Sequence, residues 1–552
     1  MSTIWHYSLL AMWLSLGSAV AAGVNTSKHN LSATGRGRFT ASVAAGGAGS
    51  EICLFCHTPH TAGKRALWNR EDSGVTYTPY QSSTAKARVG QPTGASKLCL
   101  SCHDGTVALG RVRNRASPLP LKSARPTMPV GPNNLGTDLS DDHPISFRYD
   151  QSLVAANGHL NHPSGSTHIR LDGSGELQCT SCHDPHNDQN EKFLVMNNRG
   201  TALCTSCHNI PGWRQSSHSL SSKTWNGNTP DPWPHTADAS VAANGCENCH
   251  DPHGAEGRQR LLNYAAEEEN CFACHNGNVA SGNVQAEFSK TSVHPVINTT
   301  GVHDPMEKTL LSSGAGRHVE CQDCHNPHAT SAGGAAPGTV SGALAGVRGI
   351  NLNGADVSQI THEYELCFRC HSDGAKGPSR VSRQYPQLNT RLEFQTSGGT
   401  NSYHPVLGLG RNPNVPSLKA PWTTASLISC SDCHNSDSGP KNGGTGPNGP
   451  HGSIYPPLLE RPLNLLDGAA NAANSALCFK CHNFVNTTWT QHVRHMGMTS
   501  CMTCHDPHGS PNAHLINFNP SIVTGARSYR SLGLNRASCV LSCHGKEHNE
   551  TY

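Results

Sequence analysis

"CTSCHDPHNDQNEKFLVMNNRGTALCTSCH", residues 179–208, contains one short unit twice. Cys179, Cys182 and His183 form a C-x-x-C-H group, and Cys204, Cys207 and His208 form another 25 residues later. Only the first copy carries a further histidine, His186, three positions after His183. Two thiols three residues apart project from one side of a helical turn, with an imidazole next to the second. This is the pattern by which a c-type haem is attached: the thiols add to two vinyl groups and the imidazole binds the iron.

Nine more copies are spread along the chain. They are Cys53, Cys56 and His57; Cys99, Cys102 and His103; Cys246, Cys249 and His250; Cys271, Cys274 and His275; Cys321, Cys324 and His325; Cys367, Cys370 and His371; Cys430, Cys433 and His434; Cys478, Cys481 and His482; and Cys501, Cys504 and His505. Of the 24 cysteines, two are then left, Cys539 and Cys543, and they too precede a histidine, His544. That last stretch, "SCVLSCHGKEHNETY", has one residue too many between its cysteines. Residues four apart also share a helical face, so Cys539, Cys543 and His544 are read as a twelfth site on a helix.

Zinc and a disulfide framework are the competing uses of so many cysteines. Neither requires a histidine after every second cysteine, and a disulfide framework would leave a long polar chain without a core. Composition argues the same way. Only 35% of the 552 residues are apolar and 5% aromatic, with 55 Gly and 35 Pro, which is too little for a conventional core of this length. Bound haem is expected to supply that core. The fold expected is mostly irregular coil with short α-helices at the haem-binding motifs, haem-cored, with little or no β-sheet.

Counted from each first cysteine, the motifs group as 53/99, 179/204, 246/271, 321/367, 430/478 and 501/539, at intervals of 46, 25, 25, 46, 48 and 38 residues. The repeat is therefore a pair. Six segments follow: 22–125, 126–212, 213–282, 283–385, 386–490 and 491–552, after a secretory signal peptide over 1–21. The signal peptide implies an exported protein, periplasmic or at the outer membrane or beyond it, and no later run is long enough for a membrane span.

Each iron needs a second axial ligand. Eight methionines are too few, whereas removing the twelve proximal histidines and His6 from the 35 leaves 22. First members of pairs carry the "PH" histidines His60, His186, His253, His328 and His508, too close to their own motif to reach round the ring and so assigned to a neighbouring haem. In the fifth pair "GPHGS" supplies His451 instead. A further histidine precedes each pair: His29, His143, His218, His294, His404 and His495. His235, His318, His492, His168 and His362 compete for some of these places. The Asp of "CHDPH" is expected to orient a backbone turn.

On these motifs the sequence resembles, from residue 29 to about 548, the multihaem c-type cytochromes with doubled CXXCH motifs found in metal-reducing bacteria. The resemblance implies electron transfer through twelve covalently attached haem c groups, with other redox proteins as partners, including periplasmic or outer-membrane cytochromes, a porin conduit and metal oxides. A wire-forming filament of this chain is compatible with the same residues. The opposing reading is a reductase of nitrite, hydroxylamine or a sulfur oxyanion, which needs an iron with one open face. No C-x-x-C-K motif marks such an iron. The formal charge of +3 becomes negative, to about −9, once twelve haems with their propionates are added, which excludes nucleic acid as a partner.

Overall fold

A computed structural model describes residues 23–60, 66–234, 236, 238–297, 319–336, 338–373, 380–483, 490–533 and 536–551. The signal peptide expected over 1–21, and His235 and His318, lie outside the described residues. The chain divides into two compact units, Met1–Tyr80 with Lys86–Asn198 and Ala202–Cys207, and Gln81–Ala85 with Arg199–Thr201 and His208–Tyr552. The division falls inside the fourth motif, between Cys207 and His208.

Helices are short and gather at the motifs. Second members of pairs end helices at Gly94–His103, Glu267–His275 and Glu363–His371. Glu267, Glu268 and Glu269, and likewise Glu363 and Glu365, occupy first turns, where the positive end of the helix dipole favours carboxylates. First members occupy single turns, at Cys179–Cys182, Cys321–Cys324 and Cys501–Cys504 as α-helix and at Ile52–Phe55, Gly245–Asn248 and Cys430–Asp432 as 3-10 helix.

The expectation of little or no β-sheet is overturned. In the first unit Phe147–Arg148 pairs antiparallel with Glu176–Leu177. In the second unit Ser292–Val293 pairs with Gly452–Ser453, Gly349–Ile350 with Asp356–Val357, and Ser402–Tyr403 with Gly509–Ser510, all antiparallel. Lastly Val523–Ser531, Ala537–Cys543 and Lys546–Thr551 form a three-stranded antiparallel sheet with Ala537–Cys543 in the middle. Two-residue strands have no alternating pattern long enough to read in a sequence. Two of the pairs join remote stretches in the same way: the residues before His294 and His404 pair with those after His451 and His508. Gly452 and Gly509 are required there, since a Cβ would collide with the backbone carbonyls of Glu287 and Glu393.

The helical placement expected for Cys539 and Cys543 is overturned too, because both lie on the central strand. Cys543 pairs with Lys546, and His544 and Gly545 between them have φ of 53° and 74°. Two central residues at positive φ make a two-residue hairpin turn whose twist suits the flanking strands.

Apolar side chains form several small clusters, many of them against motif cysteines. Phe55, Val112 and Leu119 pack with Cys56; Tyr364, Phe368 and Phe394 with Cys430; Ile516, Phe518 and Val523 with Cys504 and Cys543.

Candidate haem-binding sites

Among the described residues no three His, Cys, Asp or Glu side chains converge as a bare metal ion requires, and none of the 24 cysteines is joined to another in a disulfide. The histidines are organised differently.

The proximal histidines hold their rings by one nitrogen. Nδ1 of His57 lies 2.6 Å from the carbonyl oxygen of Ala66, that of His103 2.7 Å from Asn133, that of His183 2.8 Å from Lys192 and that of His250 2.8 Å from Arg260. His325, His434 and His505 do the same with Ala343, Pro457 and His514 at 2.9, 3.0 and 2.9 Å, while Nδ1 of His482 lies 2.9 Å from Ser417 Oγ. A carbonyl can only accept, so Nδ1 carries the proton and Nε2 keeps its lone pair for a metal.

The carbonyls are aimed by an unusual backbone. Ala66 and Leu67, Lys192 and Phe193, Arg260 and Leu261, and His514 and Leu515 all have φ between 51° and 74°. The following residue bridges back to the histidine, as in His57 with Trp68, His183 with Leu194, His250 with Leu262 and His505 with Ile516. Left-handed conformation costs a non-glycine residue about 1–2 kcal/mol, and strain of this kind persists where the surroundings impose it.

Facing imidazoles recur at one separation. A metal–imidazole bond of about 2.0 Å, plus about 1.1 Å from the nitrogen to its ring centre, taken on both sides of one iron, separates two ring centres by about 6.2 Å. In the first unit His57 faces His186 at 6.1 Å and His103 faces His29 at 6.2 Å. In the second, His250 faces His328 at 6.3 Å, His275 faces His218 at 6.2 Å, and His325 faces His451 at 6.0 Å. His371 faces His294 at 6.4 Å, His434 faces His508 at 6.2 Å, His482 faces His404 at 6.3 Å and His505 faces His492 at 6.1 Å. In each of these nine pairs one member is a proximal histidine.

The pairings follow a rule. A "PH" histidine faces the first proximal histidine of the preceding haem pair, as His186, His328 and His508 do, and His451 in "GPHGS" takes the same role. The histidine leading a pair faces the second proximal histidine of that same pair, as His29, His218, His294 and His404 do. The two sets are tied together. Nδ1 of His29 donates to the carbonyl of Pro185 at 3.2 Å, His218 to Pro327 at 2.8 Å, His294 to Pro450 at 2.8 Å and His404 to Pro507 at 2.5 Å. Each of those prolines immediately precedes a "PH" histidine. The acidic or amide residue before the proline makes the turn: Asp184, Asp251, Asn326 and Asp506 accept from the backbone N–H of His186, His253, His328 and His508, as Asx turns do.

Burial keeps five of these imidazoles neutral. Desolvation, followed by the facing imidazole, lowers His275 and His482 to about 4 and His505 to about 3. Desolvation with neighbouring histidines takes His434 to about 4 and His451 to about 3. Neutral imidazoles presenting Nε2 across an iron-sized gap, each beside two thiols, fit haem.

Successive motifs touch through their cysteines. A hydrogen bond to Cys179, and then burial, raises the Cys99 thiol well above its usual value, and Cys271 with Cys321, Cys367 with Cys430 and Cys478 with Cys501 repeat the contact. Within pairs, burial first and then a thiol of the other member raises Cys56 through Cys102, Cys182 through Cys207 and Cys274 through Cys249, while Cys324 is raised by burial, then by Asp323, then by Cys370. The motif thiols thus lie near one another from the first to Cys204 and Cys207 in the first unit, and along the second unit from Cys246 onward.

The remaining histidines that the repeat singled out lie as follows. His60 and His253 are exposed, and Nδ1 of His143 lies 3.1 Å from the carbonyl of Pro144. His208 is half-buried in the second unit, where desolvation and His250 lower its pKa. His168 is exposed and His362 caps the helix Glu363–His371. His492, only a rival in the sequence, takes the place facing His505. At the last motif Nε2 of His544 donates to Asp467 at 2.5 Å, and His495 faces His548, which no motif pointed to.

A family model described as the doubled CXXCH motif matches residues 173–210 and 494–524, and one described as outer membrane cytochrome MtrC/MtrF-like, domains II/IV, matches residues 238–402. The chain is also similar to a protein named multiheme cytochrome MtrA from Shewanella baltica (strain OS185), 26% identical over 265 residues. That match covers 43% of this chain and 61% of the relative.

Proposed function

We propose that this chain, a multihaem c-type cytochrome with doubled CXXCH motifs and covalently bound haem c, is an exported electron carrier that holds twelve haems. When bound, each haem supplies a one-electron Fe(III)/Fe(II) couple. The observation that carries the reading is the recurrence of facing imidazoles at 6.0–6.4 Å about nine proximal histidines. An iron filled on both faces exchanges electrons without binding substrate, which favours a carrier over a reductase that needs an open face. The cysteine contacts from motif to motif support closely spaced haems, as hopping requires.

His29, His186, His218, His294, His328, His404, His451, His492 and His508 are the distal ligands proposed from facing rings, with His60, His143 and His253 as further candidates from the repeat. The likeness to outer-membrane and MtrA cytochromes supports a place in a periplasmic relay, an outer-membrane conduit or an extracellular wire, delivering electrons through other redox proteins towards metal oxides. Among the described residues no helix is long and apolar enough to cross a membrane.

Haem quantitation combined with low-temperature EPR of the oxidised, purified holoprotein tests the reading. Twelve haems per chain, all low-spin, are expected. A stoichiometric high-spin ferric signal in the unaltered protein would favour the reductase instead.

A further inference from the structure

The C-terminal hairpin offers a histidine that the motif does not name. Lys546–Thr551 pairs with Ala537–Cys543 in unbroken register, with His548 opposite Leu541. Alternate residues of a strand share a face, and directly opposed residues share it too. Cys539, Leu541, Cys543 and His548 therefore stand on one face, the histidine midway between the thiols. His548 is the only residue of its strand that is not exposed. On the same side Leu541 and Cys543 pack with Cys504 against Ile516, Phe518 and Val523.

Across from His548 is His495, on the helix Thr490–Met496, with ring centres 5.9 Å apart and planes at 45°. Nδ1 of His495 donates to the carbonyl of Gln491 at 2.8 Å, leaving Nε2 to a metal as at the other sites. His544 is arranged the opposite way. It is a turn residue at φ 53°, its side chain is 41% exposed, and Nε2, the nitrogen an iron would take, is given to Asp467. The strand also spreads Cys539 and Cys543 over about 13 Å, where a helical C-x-x-C spans about 4.5 Å of rise. The terminal motif does not fit haem in the form the other motifs do.

We propose that His495 and His548 would hold the iron of a twelfth haem, fixed to this hairpin by one thioether because thiols about 13 Å apart cannot both reach its vinyl groups, and that His544 is a positioning residue that fastens the hairpin to Asp467. The inference rests on reading the chain as a bis-histidine multihaem cytochrome. It changes which histidine serves the last iron and gives the extra residue between the cysteines a cause: this motif lies on a strand rather than a helical turn.

The test uses purified full-length holoprotein, with haem per chain from the pyridine haemochrome and spin state from EPR. His548→Ala is expected to convert one iron in twelve to high spin with haem content unchanged. His548→Met, which guards against a folding defect in the alanine variant, is expected to stay low-spin and gain a methionine–iron charge-transfer band. His544→Ala is expected to change neither spin state nor haem content. A high-spin iron or a lost haem in His544→Ala, or spectra unaltered in both His548 variants, overturns the proposal. Failure of the underlying reading would show separately, as a missing haem or a high-spin iron before any substitution.

Discussion

The imidazole rings of His250 and His328 are nearly parallel, 9° apart, with centres separated by 6.3 Å. His325 with His451 and His57 with His186 are similar at 20° and 26°, whereas His275 crosses His218 at 88° and His103 crosses His29 at 65°. Parallel imidazoles split the iron d-orbitals that interact with their π systems, and crossed imidazoles leave them nearly degenerate. The oxidised protein should therefore show two low-spin EPR classes, one rhombic and one strongly anisotropic. His218→Met should remove intensity from the anisotropic class alone. A single homogeneous rhombic signal would contradict the geometry.

The left-handed turn that aims the Lys192 carbonyl at His183 makes position 192 sensitive to side-chain shape. Lys192 has φ 59°, which a β-branched residue tolerates worst. Lys192→Ile should destabilise the protein by about 1–2 kcal/mol, while Lys192→Gly should be neutral or mildly stabilising, since relief of strain offsets the entropy of glycine. Guanidinium unfolding followed at the Soret band would rank the three proteins. Equal midpoints for Ile and Gly would refute the assignment of strain.

Glu460 is fully buried and its carboxylate meets both Lys480 at 2.8 Å and Arg461 at 3.0 Å. Lys480 lies inside the motif of Cys478, Cys481 and His482, so the pair braces a haem-binding turn. Removing one partner of a buried ion pair strands the other charge, at a cost of about 3–5 kcal/mol. Glu460→Ala should lower the unfolding midpoint accordingly, and Glu460→Gln, which keeps a hydrogen-bond acceptor, should lower it less. Identical losses would mean that the charge alone matters here, the shape and the acceptor that Gln keeps adding nothing.

The contact between Asp467 and His544 predicts an acid-sensitive hairpin. Burial raises the Asp467 carboxyl, but hydrogen bonds from Thr499 and His544 outweigh it and bring the group to about 2, below its usual 3.8. A depressed carboxyl contributes stability that is complete above the unfolded value and is lost as pH falls through the folded one. Amide protection factors over Lys546–Thr551 should hold from neutral pH to about 4 and fall between about 4 and 2. Loss centred near 6.5 would instead point to a histidine as the titrating group.

Local pattern carried much of the site into view. The cysteines, the proximal histidines and both families of extra histidines follow a repeat visible in the chain, because thioether attachment needs its groups within one turn. The strands escaped notice because, among the described residues, four of the five sheets are built from two-residue segments, some joining stretches far apart in sequence, such as Ser292–Val293 and Gly452–Ser453. The left-handed turns escaped because Ala66, Lys192 and Arg260 carry no sign of positive φ; glycine would have announced it, but these conformations are imposed by the histidine the turn must reach. His548 escaped because the helix assumed for Cys539 and Cys543 directed attention to His544.

By itself the chain determined where thiols and imidazoles are spaced for haem attachment, since that chemistry is local: two thiols and an imidazole in five or six residues. It also determined that the unit of repetition is a pair. Which imidazole faces which was decided only by tertiary structure, because partners such as His29 and His103, or His325 and His451, are brought together by backbone contacts across intervening segments. The proline carbonyls that receive His29, His218, His294 and His404 are set by the fold of the following pair. The last motif shows the limit most sharply: it lies on a paired strand rather than a helical turn, and the face on which His548 stands exists only once the strands have paired.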